Sequence, residues 1–226
     1  MGYFHKNTIL IKKLFFLVLV FVLALNVNAA NQISALGTSN PSCKALRSMA
    51  RVYMAYGEYA KALPLLERAM NVATKQNVSD KELSSCLIDA AYVYCNVGRL
   101  HEAEQVCNLG LQLQEKVYFR NHPYVAYTLR NLASIYTEQG KFQQAMMVMN
   151  RAMAIMLENH TEDDQALAPF RVDIAKVLVA QARLQEAEDY YRQALELINK
   201  TYGPDHLYTA GVLGDIAQLY TLGKVS

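Results

Sequence analysis

Apolar and small residues recur along most of the chain at intervals of three and four, the spacing of one face of an α-helix. The stretch 122–158 shows the pattern most clearly, because Leu132 and Tyr136 precede Gly140, and Met149 lies on the same kind of stripe after it. A glycine between two such stripes can take the left-handed conformation that ends a helix. The pattern therefore predicts two amphipathic helices joined at Gly140.

The same pattern recurs along the rest of the chain. The position of Tyr136 returns at intervals of 41, 42, 42 and 42 residues, and four other positions keep that register. Several positions in one register indicate a repeat protein whose units pack on their neighbours. The five series are Tyr53, Tyr94, Tyr136, Leu178 and Tyr220; Gly57, Gly98, Gly140 and Ala182; Ala50, Ala91, Ala133, Ala175 and Ala217; Ala62, Ala103, Ala145 and Ala187; and Ala69, Gly110, Ala152 and Ala194.

The register divides residues 43–226 into helical hairpins followed by a single helix. That last helix would cover the apolar edge of the fourth unit, as the ends of stacked repeats require. The alternative is that the chain is a piece of a longer array, because residues 221–224 continue as if another hinge followed. The predicted units are 43–79, 80–121, 122–163 and 164–205, with a capping helix at 206–222. The predicted helices are 43–56, 58–75, 81–97, 99–118, 123–139, 141–158, 165–181, 183–201 and 207–222.

The residues of each unit resemble the tetratricopeptide repeat (TPR). The matching phrases are Leu/Ile-Ala-x-x-Tyr, Gly-x-aromatic/Leu-x-x-Ala and aromatic-x-x-Ala, and the period of 42 with NHPYVAYTLRNLASIY resembles the kinesin-light-chain type. The resemblance covers about residues 43–226, nearly the whole chain that follows the predicted signal peptide. It implies an all-α, right-handed α-solenoid of about four helical hairpins plus a C-terminal capping helix. In the fourth unit, Ala182 replaces the hinge glycine, and Leu178 and Leu184 replace aromatic residues.

The resemblance places the candidate binding residues on the first helix of each unit, which lines the inner groove. The kinesin-light-chain type carries Asn131 in the phrase RNLA, at a position that contacts peptide. Amides and carboxylates can hydrogen-bond an extended backbone, and tyrosines add apolar contact. The alternative is that the acidic members are solvated helix residues copied with the repeat. The predicted groove residues are Arg47, Arg51, Asp89, Tyr92, Tyr127, Arg130, Asn131, Ser134, Asp173, Lys176 and Asp215.

The first 29 residues have the order of a secretory signal peptide. A basic, acid-free start precedes an uncharged apolar run at 14–27, and the small residues Val27 and Ala29 suit cleavage before Ala30. The alternative is an uncleaved anchor at 9–29, although a bilayer span needs about 20 apolar residues and this run is shorter. Residues 30–42 are small and polar and predict a flexible leader.

Charge and motifs exclude several classes of function. The net charge is +2, but the segment before Ala30 holds three lysines and no acid, which leaves 19 basic against 20 acidic side chains. Such a balance gives no field for nucleic acid. The sequence predicts no cofactor, no metal site and no enzyme, because it has no phosphate-binding loop or nucleophile motif and because His122 and His206 lie two whole units apart. We expect these two histidines to cap helices instead.

The four cysteines leave two possibilities open. Cys86 and Cys107 would face each other across one hairpin, the only bridge that the predicted helices suggest. The alternative is that Cys43, Cys86, Cys95 and Cys107 are free thiols that pack as small apolar groups.

Together these features predict an exported scaffold, periplasmic or secreted, that binds a protein or peptide and no nucleic acid. Contact with a membrane is expected only through residues 9–29, if they are not removed. One alternative is an assembly factor anchored in the inner membrane, or an accessory subunit of an envelope complex. Another is self-association through the end faces of the solenoid.

The N-terminus of the protein recovered from its own cells distinguishes export from anchoring. We expect intact-mass measurement to give a chain that starts at Ala30, because the small residues before it suit signal peptidase. A chain that retains residues 9–29 and fractionates with membranes would contradict this expectation and support the anchored form.

Overall fold

The computed structural model describes residues 41–223 of the chain, and that range is helical from end to end. It contains nine α-helices and one short 3-10 helix, and no strand, as the all-α solenoid requires. None of these helices is long and apolar enough to cross a membrane. The predicted signal peptide and all but two residues of the predicted leader lie outside the described range. The helices are α1 Cys43–Ala55, α2 Tyr59–Gln76, α3 Asp80–Asn96, α4 Leu100–Tyr118, α5 Pro123–Glu138, α6 Phe142–Asn159, α7 Ala168–Ala180, α8 Leu184–Tyr202 and α9 Leu207–Gly223.

Each hairpin closes through one residue in the left-handed conformation. Gly140 has a φ of 72°, and Ala182, which stands where the other units have glycine, has a φ of 58°. The residue after each of them donates its backbone N–H to a carbonyl near the end of the first helix. Lys141 donates to Tyr136 at 2.8 Å, and Arg183 donates to Leu178 at 2.9 Å. This bond satisfies a carbonyl that the end of the first helix leaves unpaired. The fourth hairpin therefore closes like the others although it lacks the glycine.

The beginning of the fourth unit differs from the prediction. A single helix was expected over 165–181, but the chain forms a 3-10 helix at Gln165–Leu167 and α7 begins only at Ala168. Pro169 explains the difference, because a proline ring clashes with the carbonyl four residues earlier and cannot donate a backbone hydrogen bond. It is tolerated in the first turn of α7, where no such bond is needed.

Side chains cap the first helices, as predicted for His122 and His206. The Nδ1 atoms of these histidines accept from the backbone N–H groups two residues later, at 3.1 Å and 3.2 Å. Asp164 caps the fourth unit in the same way. In the second unit Ser79 caps α3 by accepting from the backbone N–H of Glu82. These caps satisfy backbone donors and fix where each first helix starts.

Small residues let the two helices of a hairpin approach closely. At Gly110 in α4, an added Cβ would lie 3.1 Å from Cγ1 of Ile88 and 3.3 Å from Cβ of Leu87 in α3. Such contacts are tighter than most real Cβ contacts, so α3 and α4 approach closely because residue 110 has no side chain.

The apolar core runs through all of the units. One buried cluster fills the first two hairpins and a second fills the last two, and Leu111 and Val148 pack against both. The last helix, α9, closes the second cluster with Val212 and Leu219, which are buried. Its other face is open, since Leu213 and Tyr220 are about half exposed. The helix thus covers the fourth unit and leaves its own outer face uncovered within the described range.

The bridge considered from the sequence, Cys86–Cys107, does not form. All four cysteines are free thiols. The Sγ of Cys107 points across to α5, where it lies 3.8 Å from the carbonyl oxygen of Thr128. The Cys86 thiol turns instead toward Cys43 in α1. Of the two possibilities left open by the sequence, the structure has free thiols, and the sequence argument had considered contacts within one hairpin and not contacts between units.

Reciprocal substitutions at the hinges test the backbone requirement. Ala182→Gly should raise the free energy of unfolding by about 0.5–1 kcal/mol, because a left-handed alanine is strained and glycine is not. Gly140→Ala should lower it by about 1 kcal/mol for the same reason, since an added Cβ there meets no atom within 4 Å and adds no clash. Urea unfolding followed by circular dichroism measures both. Changes of the same sign in the two variants would contradict this account.

Candidate peptide-binding groove

The predicted groove residues all lie on the first helices of the units. These helices, α1, α3, α5, α7 and α9, follow one another along the solenoid, and each of the first four contacts the next first helix or is paired with it. Arg51, Tyr92, Tyr127, Ser134 and Lys176 are exposed. The remaining predicted residues are partly buried; they are Arg47, Asp89, Arg130, Asn131, Asp173 and Asp215.

Three of the four acidic or amide positions are already engaged by a basic residue of the preceding unit. Nε of Arg47 lies 2.6 Å from Oδ2 of Asp89, which joins α1 to α3. Arg130 in α5 forms the equivalent pair with Asp173 in α7. Asp215 in α9 lies 3.3 Å from Nζ of Lys176 in α7. The carboxylates that the sequence offered to a ligand therefore also connect neighbouring units.

Asn131 is the exception in this series. The first and third units have arginine at the position where the second unit has Ile88. The third unit, which follows Ile88, has the amide of Asn131 in place of a carboxylate. The side chain of Asn131 has no hydrogen bond to any residue in the range 41–223. An amide without a charged neighbour and without an internal partner is free to bind a ligand. Asn131 therefore keeps its place as the best candidate of the series.

The ion pairs align the helices more than they stabilise them. The two arginine–aspartate pairs have side chains between 16% and 33% exposed, so water and salt screen them. Pairs at such positions contribute about 0.2–1 kcal/mol each. Arg130 makes a second contact, since its guanidinium lies 5.8 Å from the centre of the Phe170 ring. Its orientation is fixed from two sides.

A cleft of about 630 Å³ opens where α5, α7 and α9 meet the end of α8. Its volume is within the usual range for ligand pockets, about 300–1,000 Å³. It brings together five of the predicted residues, and it does not include the candidates of α1 and α3 or the pair Asn131 and Ser134. The five are Tyr127, Arg130, Asp173, Lys176 and Asp215.

Sequence reasoning missed an aromatic wall of this cleft. Tyr202 at the end of α8 and Tyr208 at the start of α9 both line it. The ring of His206 stacks on both, with centroids 4.5 Å and 5.6 Å away. The signal was present, because the same spacing occurs two units earlier, where Tyr118, His122 and Tyr124 form the equivalent cluster.

The cleft carries more acidic than basic groups. Three carboxylates line it, Asp164, Asp173 and Asp215, against the cations of Arg130 and Lys176. The backbone N–H of Ala166 and then the ring of His160 hold the pKa of Asp164 below its usual range, so this carboxyl stays ionised. A ligand here meets a negative charge beside tyrosine rings, which suits a cation placed against an aromatic face.

At the other end of the groove the candidates are fewer. The hydroxyl of Tyr92 lies 3.3 Å from that of Tyr59, and the two rings meet edge to face at 5.8 Å. Arg51 has no ion-pair partner in the described part of the chain. This end therefore offers one free cation beside a fixed tyrosine.

The groups around the cleft are of the kind that hold a ligand by hydrogen bonds and apolar contact. Over residues 41–223, no three or more His, Cys, Asp or Glu side chains are placed to hold a metal ion. The groups that converge on the cleft are tyrosines and paired charges, which give hydrogen bonds and apolar contact.

Comparison with known proteins identifies the family. The model of the MalT-like TPR region matches residues 34–209, most of the chain. This protein belongs to the MalT-like TPR family. TPR proteins are in general scaffolds that bind other proteins and lack catalysis. Among proteins of curated function, none matches this chain.

Solved structures of other proteins share this fold. A kinesin light chain-like protein of Podosopora anserina with nearly identical TPR-like repeats superposes with a TM-score of 0.64 at 21% identity, over 80% of this chain and 86% of that one. BtubC (BKLC) from P. vanneervenii gives a TM-score of 0.66 at 17% identity, over 80% of this chain and 72% of that one. At these identities the likeness establishes the fold alone.

A double-mutant cycle tests whether the groove carboxylates connect neighbouring units. We expect Arg130→Ala and Asp173→Ala to show a coupling energy of about 0.2–1 kcal/mol in the free energy of unfolding, because each loses the same ion pair. Arg51→Ala is the control and should change stability by less than about 0.5 kcal/mol, since it has no such partner. Additive effects of the first two substitutions would show that the pair does not link α5 to α7.

Proposed function

We propose that this MalT-like TPR protein is an exported scaffold that binds a peptide or a partner protein along its first helices, with no catalysis of its own. The observation that carries this proposal is the cleft of about 630 Å³, one wall of which is α5, the helix that also carries Asn131. A TPR fold supplies the general role, and the cleft supplies a place for a ligand.

An extended segment would be held in two ways. Asn131 would bind its backbone, because an amide offers both a donor and an acceptor to a peptide group. Tyr127, Tyr202 and Tyr208 would contact a side chain in the cleft, where a basic or aromatic group is favoured by the rings and the surplus negative charge. Affinity would come from several such contacts along the groove.

The paired carboxylates can still take part. Arg47 binds one oxygen of Asp89, and a carboxylate has about four acceptor sites over its two oxygens. The same holds for Asp173 beside Arg130. In this proposal the ion pairs orient the carboxylates, and a ligand N–H adds to them without breaking them.

Export rests on the sequence before Ala30, with its basic start, apolar run and small-residue cleavage site. A second candidate, an assembly factor anchored by residues 9–29, differs in this segment and keeps the same groove. Self-association is a further possibility for the open face of α9, where Leu213 and Tyr220 are about half exposed.

Matched asparagine substitutions test the groove. The protein is first used to capture partners from its own cell envelope or medium, and the bound segment of the partner is made as a synthetic peptide. Asn131→Ala should then weaken binding of this peptide about 2- to 10-fold by calorimetry, as expected for the loss of one neutral hydrogen bond. Asn150→Ala is the control, because Asn150 is exposed on the second helix α6, away from the groove.

The helical circular dichroism signal should be the same for both variants, so a loss of binding cannot be attributed to unfolding. Equal affinity of Asn131→Ala and the unsubstituted protein would contradict the role of Asn131. Weaker binding in Asn150→Ala alone would place the ligand on the convex side and overturn the proposal.

A further inference from the structure

Two cysteines from different units meet in the first part of the core. Cys43 is the first residue of α1 and Cys86 lies in the middle of α3, and both are fully buried in the same apolar cluster. They lie four and three residues before Arg47 and Asp89, which are 2.6 Å apart. At 1.5 Å of rise per residue, these steps are about 6.0 and 4.5 Å along the two helices. The thiols therefore lie side by side, about one turn below the ion pair.

The two thiols are close enough for each to shift the pKa of the other. Burial raises the pKa of the Cys43 thiol, and the hydrogen bond from Cys86 opposes part of that rise. Burial also raises the pKa of the Cys86 thiol, and the neighbouring Cys43 raises it further. Of the two, Cys43 is the better attacking sulfur, since the thiolate is the reactive form and its partner stabilises it.

We propose that Cys43 and Cys86 form a disulfide that locks the first helix of unit one to the first helix of unit two. The bond forms by exchange with a small-molecule or protein disulfide. The Cys43 sulfur attacks that disulfide, one thiol leaves, and Cys86 then displaces the second thiol. The two cysteines lose two protons and two electrons, and the disulfide donor is reduced to two thiols.

The other two cysteines are placed differently. Cys107 faces the carbonyl of Thr128. Cys95 is nine residues from Cys86 along α3, or about 13 Å, which is beyond the reach of a disulfide between helical positions. Cys95 influences Cys107 only through its charge, so Cys43 and Cys86 are the more closely coupled pair.

Exchange requires α1 to open briefly, because both sulfurs are buried. This helix is the first one in the described range, and Val52 within it and Tyr56 just after it are exposed. A helix packed on one side opens more readily than one enclosed on both. The bond would also fix Arg47, Asp89 and Arg51 at this end of the groove, so oxidation would rigidify part of the binding surface.

Oxidation of the full chain tests the pair, and the test does not depend on export or on a binding partner. The protein is incubated with oxidised glutathione, free thiols are blocked with N-ethylmaleimide, and tryptic peptides are mapped by mass spectrometry. We expect Cys43 joined to Cys86, with Cys95 and Cys107 blocked. The bridge encloses the 42 residues between its ends. Closing a loop of that length should raise the midpoint of thermal unfolding by about 5–15 °C, and dithiothreitol should reverse the rise.

Cys43→Ala is the control, and it should show neither the linked peptide nor the shift on oxidation. Cys86→Ala gives the same comparison from the other side should the first variant not fold. A link from Cys86 to Cys107 would overturn the proposal. The proposal would also be overturned if all four cysteines of the native chain stayed free and were blocked. The control is the same chain unfolded in urea, which must be oxidised under the same conditions.

Discussion

The left-handed residue between the two helices of each hairpin is the constraint on which the rest of the structure depends. It lets the next residue donate its backbone N–H to a carbonyl near the end of the first helix, as Lys141 does to Tyr136 and Arg183 does to Leu178. The same bond closes all four hairpins, and similar hairpins can stack in one register. Stacking in one register brings the first helices together, and the groove is the surface that they share.

The groove has two kinds of polar side chain as a result. Asp89 and Asp173 are bound to arginines of the preceding unit, so they belong to the stack as well as to the surface. Asn131 has no such pair, and Tyr127, Tyr202 and Tyr208 line a cleft of about 630 Å³. A ligand would therefore find a surface in which the charges are oriented before it arrives, which lowers the entropy lost on binding.

The helices and hinges could be predicted from the sequence because they depend on local chemistry. Glycine at the hinge, small residues at close contacts and polar caps such as His122 each leave a trace at a fixed spacing. The 3-10 helix at Gln165–Leu167 was missed, although Pro169 carried the signal. Contacts between units were harder, because the pairs Arg47–Asp89 and Cys43–Cys86 join residues that are distant in sequence. The first could have been predicted from the repeat, because a unit with arginine is followed by a unit with aspartate, whereas the unit with Ile88 is followed by one with Asn131. The second needs the relative position of two helices, which no local pattern contains.

The most direct test of the groove is to locate the partner on the surface. A photo-reactive amino acid is placed at Ser134, which is exposed on a first helix, and separately at Asn150, which is exposed on a second helix. The protein is irradiated in its own cells, and the linked partners are identified by mass spectrometry. This account predicts a partner linked from position 134 and absent from position 150. The same partner linked from position 150 and absent from 134 would contradict it.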